Sequence, residues 1–184
     1  MKHFGTKTIE TERLILRRFT MEDAQAMFDN WASDEDVTRY LTWPTHTSID
    51  VTRMVLENWV SSYEKDDFYN WAIELKSLGQ PVGNISVVRC SDRSCRMEMG
   101  YCMGKNWWHQ GIMSEALQAV IGYLFTEVGV NRVEARHALE NPNSGGVMKK
   151  CGMTYEGTLR QGSWCNGGFR DLAIYAILAN EYGK

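Results

Sequence analysis

The chain has 184 residues, of which 43% are hydrophobic and 23% are charged, and its formal net charge is −3. This length and composition are typical of one globular domain over residues 1–184, and the slightly acidic balance excludes a basic footprint for duplex nucleic acid. No apolar run approaches the roughly 18 residues of a membrane span and no signal-peptide core begins the chain, so we expect a cytoplasmic protein that binds a small molecule or a protein end.

Hydrophobic periodicity alternates between strand and helix spacing along the chain. A strand is predicted over residues 8–19, Thr20 caps a first helix, and Ser48 opens a second. There follow strands over 69–76, 82–89 and 97–103, a helix from Gly111 to Gly129, a strand over 133–139, a short helix from Asn141, and a hairpin of strands over 153–164 and 169–178. The order β-α-α-β-β-β-α-β-α-β-β predicts an α+β fold with a mixed, mostly antiparallel, seven-stranded sheet and helices on both faces.

Residues 98–117 run from a strand through a glycine turn into a helix. Apolar residues adopt helical spacing from Ile112 onward, so the helix begins at or just after Gly111. A helix start offers unpaired backbone N–H groups and the positive end of the helix dipole, and a glycine there lets a ligand approach closely. The stretch therefore predicts either a phosphate or pyrophosphate site or a simple strand-to-helix connection.

The five cysteines are odd in number, include no C-x-x-C pair and have no histidine at zinc-finger spacing. These features predict neither a disulfide framework nor a zinc site, and we expect no metal. Cys102 and Cys151 lie beside the suspected site, but buried free cysteines mostly act as small hydrophobes. We therefore do not expect either of them to be a nucleophile.

Five stretches of the chain resemble the GNAT acetyltransferases, and most closely the RimJ/RimL branch, which acetylates protein N-termini including those of ribosomal proteins. These stretches are residues 11–17, 98–103, 108–117, 141–144 and 151–160, in the order and spacing of the family. The resemblance implies a GNAT fold in which acetyl-coenzyme A lies in a cleft where the strands over 97–103 and 133–139 splay apart. It also suggests a homodimer.

The family's pyrophosphate loop, Q/R-x-x-G-x-G/A, matches residues 108–113. Trp108 replaces its first polar residue and Met113 its last small one, so we expect backbone N–H groups from His109 to Ser114 to provide most of the phosphate contact. The resemblance implies cosubstrate contacts along the strand, the loop and the N-x-x-S motif, at Tyr101, Cys102, Met103, His109, Gln110, Gly111, Ile112, Met113, Ser114, Asn141, Asn143 and Ser144. Ser114 can equally be an ordinary first-turn residue, and Asn141 a helix cap.

Acetyl transfer to a protonated amine needs a group that removes a proton and donors for the developing oxyanion. The candidate base is Glu98 on the central strand, and the alternative is a structural or solvated strand glutamate. Some RimL-type enzymes are proposed to use a glutamate on the penultimate strand, where this chain has Ser163. Ser144 is the candidate acid, with Tyr155 and Glu156 as alternatives.

The resemblance implies direct transfer to a primary amine, with a protein N-terminus as the expected acceptor. We expect the acceptor pocket between the connection over residues 40–46 and the hairpin over 162–169. Trp43 and Trp164 would form its walls, and core packing is the alternative for both. Two other functions stay open: acetylation of a small amine such as a polyamine or an antibiotic, and a coenzyme A-binding regulatory module without turnover.

Overall fold

The helices are described by a computed structural model that covers residues 1–183 of the chain. They are α1 (Ala24–Met27), α2 (Glu35–Thr38), α3 (Ile49–Ser62), α4 (Ile112–Tyr123) and α5 (Pro142–Lys150). A 3₁₀ turn at Met21–Asp23 precedes α1, and π-helical segments at Phe28–Ala32 and Leu124–Val128 extend α1 and α4. No helix in this part of the chain is long and apolar enough to cross a membrane.

The strands form one sheet in the order β1-β2-β3-β4-β5-β6-β8-β7. They are β1 (Ile9–Glu10), β2 (Leu14–Arg17), β3 (Asn70–Leu75), β4 (Gln80–Ser91), β5 (Arg96–Met103), β6 (Arg132–Ala138), β7 (Thr154–Cys165) and β8 (Gly168–Leu178). Neighbouring strands are antiparallel except β5 and β6, which are parallel. The mixed α+β fold is therefore confirmed, whereas the expected number of seven strands is wrong, because this sheet has eight.

The additional strand arises because a turn at Thr11 divides the first predicted strand. The Thr11 hydroxyl accepts a hydrogen bond from the Leu14 N–H at 3.0 Å and donates one to the Glu115 carboxylate at 2.6 Å. The Thr11 N–H also donates to the Leu14 carbonyl at 3.0 Å. A threonine side chain that bonds to nearby backbone in this way competes with strand pairing, so β1 ends at Glu10 and β2 begins at Leu14.

Short helix α2 was not predicted, because the sequence analysis places no element between the helix that Thr20 caps and the one that Ser48 opens. Asp34 caps this helix, since its side chain accepts a hydrogen bond from the Asp36 N–H at 2.9 Å. An aspartate before two acidic residues is an N-terminal helix signal that the sequence does carry.

Alternating residues of the central strands build two hydrophobic clusters, one on each face of the sheet. Helix α4 packs on the first cluster, which includes Trp71 and Ile73 of β3. Helices α1 and α3 cover the second, which includes Ala72 between those two residues. This period of two is the pattern of a strand that is buried on both faces, and it places the expected helices on both sides.

The parallel strands β5 and β6 separate at the centre of the sheet. They pair only from Arg96 to Met99 on β5 and from Arg132 to Ala135 on β6. Beyond that point β5 stays paired with β4 as far as Met103, and β6 stays paired with β8 as far as Ala138. A gap therefore opens between the ends of the two strands, as the sequence comparison with the family implied.

Candidate active site

Helix α5 approaches the gap between β5 and β6 through two hydrogen bonds. The Tyr101 hydroxyl donates to the backbone carbonyl of Ser144 at 3.0 Å, and the Ser144 hydroxyl donates to the Tyr101 oxygen at 3.1 Å. Burial raises the pKa of Tyr101 well above its usual range, so this phenol stays protonated. The structure thus brings two of the predicted site residues together and holds the Ser144 hydroxyl in one orientation.

Glycine 145 lets α5 lie close to β6. A Cβ atom on Gly145 would lie 2.5 Å from the Nε2 atom of His137, whose ring is buried. Any larger residue would push the start of α5, and with it Ser144, away from the sheet. Asn141 precedes the helix as expected, but its side chain makes no capping hydrogen bond, and Asn143 is exposed.

Helix α4 begins at Ile112, directly after Gly111, as the periodicity predicted. Gly111 has a left-handed backbone with φ +76°, and the exposed His109 has φ +61°. The side chains of Ile112 and Met113 are buried, so these two residues can offer only backbone N–H groups to a ligand. The first turn of α4 therefore provides backbone donors and a positive dipole end, the requirements of an anion site.

The loop before α4 is tied to the first two strands. Arg13 donates a hydrogen bond to the Gln110 carbonyl at 2.9 Å and pairs with the Glu115 carboxylate at 2.6 Å. Burial acts to raise the pKa of Glu115, but hydrogen bonds from Thr11 and Arg13 outweigh it and hold that pKa below its ordinary value. The Gln110 side chain donates to the Asn106 carbonyl.

An open groove of about 620 Å³ runs along the outer side of α4. Gly111 and Ser114 from the helix start line it, together with Gln118 and Lys150. Lys150 belongs to the last turn of α5. The groove therefore connects the anion-binding end of α4 with a cationic side chain.

Glu98 lies on the sheet face opposite to its neighbours Met97 and Met99, and only 8% of it is exposed. Its Oε2 atom is 3.1 Å from Arg136 Nη2 and 3.6 Å from Arg89 Nη1, yet it accepts no aligned hydrogen bond. The solvated alternative for Glu98 is therefore wrong. The structural alternative stays open, because two guanidinium groups lie beside this carboxylate and Glu98 still pairs with Glu134 of β6 just before the gap opens. The role of Glu98 as base stays a prediction.

Neither cysteine beside the gap has the character of a nucleophile. Cys102 faces the second hydrophobic cluster, and burial raises the pKa of its thiol to about 12. Burial also raises the pKa of Cys151 to about 11, and its S–H group donates to the Ser114 carbonyl at 3.3 Å. Both remain thiols near neutral pH. Cys102 and Met103 are buried, so a ligand in the gap would meet their main chain.

The alternative acid and base candidates on β7 contact other partners. Glu156 forms an ion pair with Arg132, and this hydrogen bond holds the pKa of the Glu156 carboxyl below its ordinary value. Tyr155 is exposed, and its hydroxyl bonds to Thr158 at 2.8 Å. The Ser163 side chain makes only a long contact, 3.5 Å, to the Trp164 carbonyl.

Asn166, at the tip of the β7–β8 hairpin, joins the two segments between which the acceptor pocket is expected. They are the connection over residues 40–46 and the hairpin itself. The Asn166 side-chain amide donates to the carbonyl of Thr38 at 2.9 Å and to that of Trp43 at 2.8 Å. Its backbone N–H donates to the Leu41 carbonyl at 3.0 Å. Among residues 1–183, all hydrogen bonds between residues 38–46 and the hairpin pass through Asn166. The sequence marked Asn166 only as a turn residue.

The two tryptophans differ in their surroundings. Trp43 packs partly against the second cluster, with its ring 5.4 Å from that of His46. Trp164 is 62% exposed and stands edge-on to Phe169, which is 61% exposed, with 4.9 Å between the ring centres. Core packing is therefore wrong for Trp164, and an exposed aromatic pair borders this side of the site.

Comparisons with known proteins agree with this geometry. Residues 13–154 match the family described as the acetyltransferase (GNAT) domain. The chain is 32% identical over 170 residues to the uncharacterized N-acetyltransferase YoaA of Bacillus subtilis, which covers 92% of this chain and 96% of that one. It is 26% identical over 186 residues to the [ribosomal protein uS5]-alanine N-acetyltransferase of Escherichia coli, covering 95% and 92%. A solved structure of RimL, a ribosomal L7/L12 alpha-N-protein acetyltransferase in complex with coenzyme A, superposes with a TM-score of 0.84 at 22% identity, covering 94% of this chain and 98% of that one.

Proposed function

Because the chain belongs to the GNAT acetyltransferase family and is an N-acetyltransferase with acetyl-coenzyme A as cosubstrate, we propose that it acetylates the α-amine at the N-terminus of a protein. The acetyl group moves directly from the thioester to the amine. The observation that carries this proposal is the exposed aromatic pair on the acceptor side, Trp164 and Phe169, of which 62% and 61% are exposed. Glu98, a buried carboxylate beside two guanidinium groups, is the candidate base.

An acceptor that loses its proton easily suits such a site best. An α-amine with a pKa of about 7.8 is roughly 30% unprotonated at pH 7.4, whereas an alkyl amine with a pKa of about 10.4 is roughly 0.1% unprotonated. The difference is about 300-fold in reactive amine before any base acts. Ser163 stands where some RimL-type enzymes are proposed to use a glutamate as base. An α-amine, which loses its proton easily, is therefore the acceptor that needs least help from Glu98.

The acceptor side also favours a peptide over a small amine. Trp164 and Phe169 expose most of their rings at the hairpin next to the residue 38–46 connection. An extended peptide chain can cover such apolar surface, and aromatic residues are enriched where proteins bind partners. A polyamine would leave it in water. The uS5-alanine enzyme of Escherichia coli is similar to this chain over most of both lengths.

The gap and the start of α4 fit the cosubstrate. Backbone N–H groups from His109 to Ser114 would bind its diphosphate, and the groove that ends at Lys150 would receive its adenosine end. When bound, the cosubstrate supplies a reactive acetyl thioester. Beyond Met99, the main-chain N–H groups of β5 that point away from β4 have no β6 strand to pair with, and such groups can donate to the negative charge that develops on the carbonyl oxygen.

Glu98 accepts the proton of the acceptor amine, directly or through a water molecule. Ser144 donates a hydrogen bond to the departing sulfur once its hydroxyl turns away from the Tyr101 oxygen, to which it donates at 3.1 Å. Tyr101 keeps the start of α5 in place through its hydrogen bond to the Ser144 carbonyl. A thiol has a pKa of about 8.5, so its thiolate needs little protonation to leave. Holding amine and thioester together can then provide much of the acceleration.

The cytoplasm is the proposed location. All five cysteines are free, including exposed Cys90 and half-buried Cys95, and unpaired cysteines are typical of proteins in a reducing compartment. The homodimer that family likeness suggests stays a prediction.

Release of coenzyme A thiol tests the proposal against a panel of acceptors. We expect fast release with a short peptide that has a free N-terminal alanine or serine. The matched control is the same peptide with its N-terminus blocked and a lysine added, which should react at least tenfold more slowly. Faster release with a polyamine would contradict the N-terminal assignment. Cosubstrate binding without release under any acceptor would instead indicate a regulatory module.

A further inference from the structure

Three side chains of zinc-binding types meet at the end of the sheet away from the gap. They are the imidazole of His3, the thiol of Cys90 and the carboxylate of Asp92, and one ligand atom from each lies within 4.8 Å of the other two. Cys90 pairs across the sheet with Met97, at the start of β5, whereas the gap opens beyond Met99. Arg89, the residue before Cys90, pairs with Glu98, so the cluster lies one position along β4 from the candidate base. Because side chains alternate along a strand, Cys90 and Glu98 are on opposite faces of the sheet.

The surroundings of His3 are those of a metal ligand. Its Nδ1 atom is 3.0 Å from the hydroxyl of Tyr69, a residue that is 1% exposed, and the two rings lie 5.8 Å apart. In a metal-binding histidine, the ring nitrogen that does not bind the metal almost always donates a hydrogen bond to a neighbouring group. That bond fixes the tautomer and the orientation of the ring. Because a carboxylate can only accept, the Nε2 atom donates its proton to Asp92 Oδ1 at 2.8 Å. A metal ion bound at Nε2 would replace that proton, and Nδ1 would then donate to the Tyr69 oxygen.

We propose that His3, Cys90 and Asp92 bind one divalent metal ion, with Zn²⁺ as the best match for a mixed nitrogen, sulfur and oxygen set. Zn²⁺ takes these three ligand types at about 2.0–2.3 Å and commonly keeps a fourth position for water. Its tetrahedral geometry separates ligand atoms by roughly 3.3–3.7 Å. Nε2 and Oδ1 are 2.8 Å apart and would move apart by about half an ångström, and the Cys90 sulfur, which lies within 4.8 Å of both, would move closer by at most about 1 Å.

The binding step balances in charge and protons. Cys90 releases its thiol proton to solvent and binds as thiolate, Asp92 binds as carboxylate, and His3 binds as neutral imidazole. The two negative ligands neutralise the ion. Asp67 adds further negative charge near the Cys90 sulfur, and Cys90 and Asp92 are exposed, so the ion can reach the site from solvent.

Metal binding would fasten the N-terminal segment to the β4–β5 turn. His3 is 87 positions from Cys90, so no spacing motif marks the cluster in the sequence. The ion would hold together two segments that otherwise meet here through the His3 contacts with Asp92 and Tyr69. We expect it to affect stability and not the acetyl-transfer reaction.

Titration of the full-length, tag-free protein with Co²⁺ and then Zn²⁺ tests the site. Co²⁺ should produce a sulfur-to-metal charge-transfer band and the visible bands of tetrahedral coordination, and one equivalent of Zn²⁺ should remove both. His3→Gln and Cys90→Ser should abolish the charge-transfer band. Tyr69→Phe should weaken binding about 10–100-fold, as loss of a partner to a ligating histidine does.

Cys95→Ser is the matched control, because Cys95 is a free cysteine in the same turn whose S–H group bonds to the Asp92 carbonyl and which lies outside the cluster. This variant should bind Co²⁺ like the parent protein. Melting temperatures without metal identify any variant that fails to fold. Binding without a sulfur band, equal binding by Cys90→Ser, or loss of binding in Cys95→Ser would each overturn the proposal and indicate adventitious surface binding.

Discussion

Removing the Asn166 side chain should loosen the acceptor side of the site and leave the cosubstrate side intact. Asn166→Ala deletes the hydrogen bonds to the carbonyls of Thr38 and Trp43, which are 2.9 Å and 2.8 Å long. Each hydrogen bond contributes about 0.5–1.5 kcal/mol net. The two together therefore stabilise the contact between the hairpin and the residue 38–46 connection by about 1–3 kcal/mol. If the acceptor binds only when these two segments are joined, the loss of this free energy corresponds to roughly a 5–150-fold fall in kcat/KM for the peptide.

Steady-state kinetics measures this effect with each substrate varied in turn. The peptide KM should rise, and the KM for acetyl-coenzyme A should stay within about twofold, because the start of α4 makes no contact with Asn166. Asn166→Asp has nearly the same shape but cannot donate to the two carbonyls, so it should lose at least as much as Asn166→Ala. Asn58→Ala is the control, since the exposed Asn58 side chain donates only to the Met54 carbonyl of its own helix, α3.

Two results would refute this reasoning. A folded Asn166→Ala protein with peptide kcat/KM within twofold of the parent would mean that the joined walls do not bind the acceptor. An equal rise in both KM values would mean that the hairpin tip supports the whole site. Denaturant unfolding of each variant separates these results from a general loss of stability.

Five further substitutions test other parts of the site. Gly111→Ala forces a side chain into a left-handed backbone of φ +76°, which is unfavourable by about 1–2 kcal/mol, so the KM for acetyl-coenzyme A should rise while that for the peptide does not. Glu98→Gln should lower kcat about 10²–10⁴-fold, and an unchanged pH–rate profile would remove Glu98 as the base. Ser144→Ala and Tyr101→Phe should each lower kcat by less than about tenfold, because a thiolate needs little protonation, and a nonadditive double variant would confirm that they act as a unit. The pKa of Glu115 lies below its ordinary value in the folded state. The ionised carboxylate therefore stabilises the fold above the unfolded pKa of about 4.3, and this effect is lost as the pH falls through the folded pKa. Urea unfolding from pH 7 to pH 3 should show a weaker loss of stability for Glu115→Gln than for the parent.

The start of α4 and the gap show how far local patterns and family likeness reach. The change of period at Ile112 predicted the first residue of this helix, because helical spacing and a glycine turn depend on residues that are close in sequence. The gap between β5 and β6 was implied by the family motifs alone. No property of the two strand sequences reports whether they pair along their whole length.

The partners of the site residues could not be predicted in the same way. Glu98 is readable as a strand glutamate, but its burial beside Arg136 and Arg89 exists only because β4 and β6 both flank β5. Asn166 reads as a turn residue until the fold brings the hairpin tip to Trp43, 123 positions away.

By itself, the sequence determined the type and approximate limits of most strands and helices, the family, and the cosubstrate that the family uses. Only the tertiary structure decided that Thr11 divides the first strand, that Asn166 joins the acceptor walls, and that His3 meets Cys90. The physical reason is the sequence distance over which each property is determined. Backbone conformation and hydrophobic period are set by neighbours a few residues apart, whereas a side chain's charge, burial and hydrogen-bond partners depend on which distant strands become adjacent in the sheet.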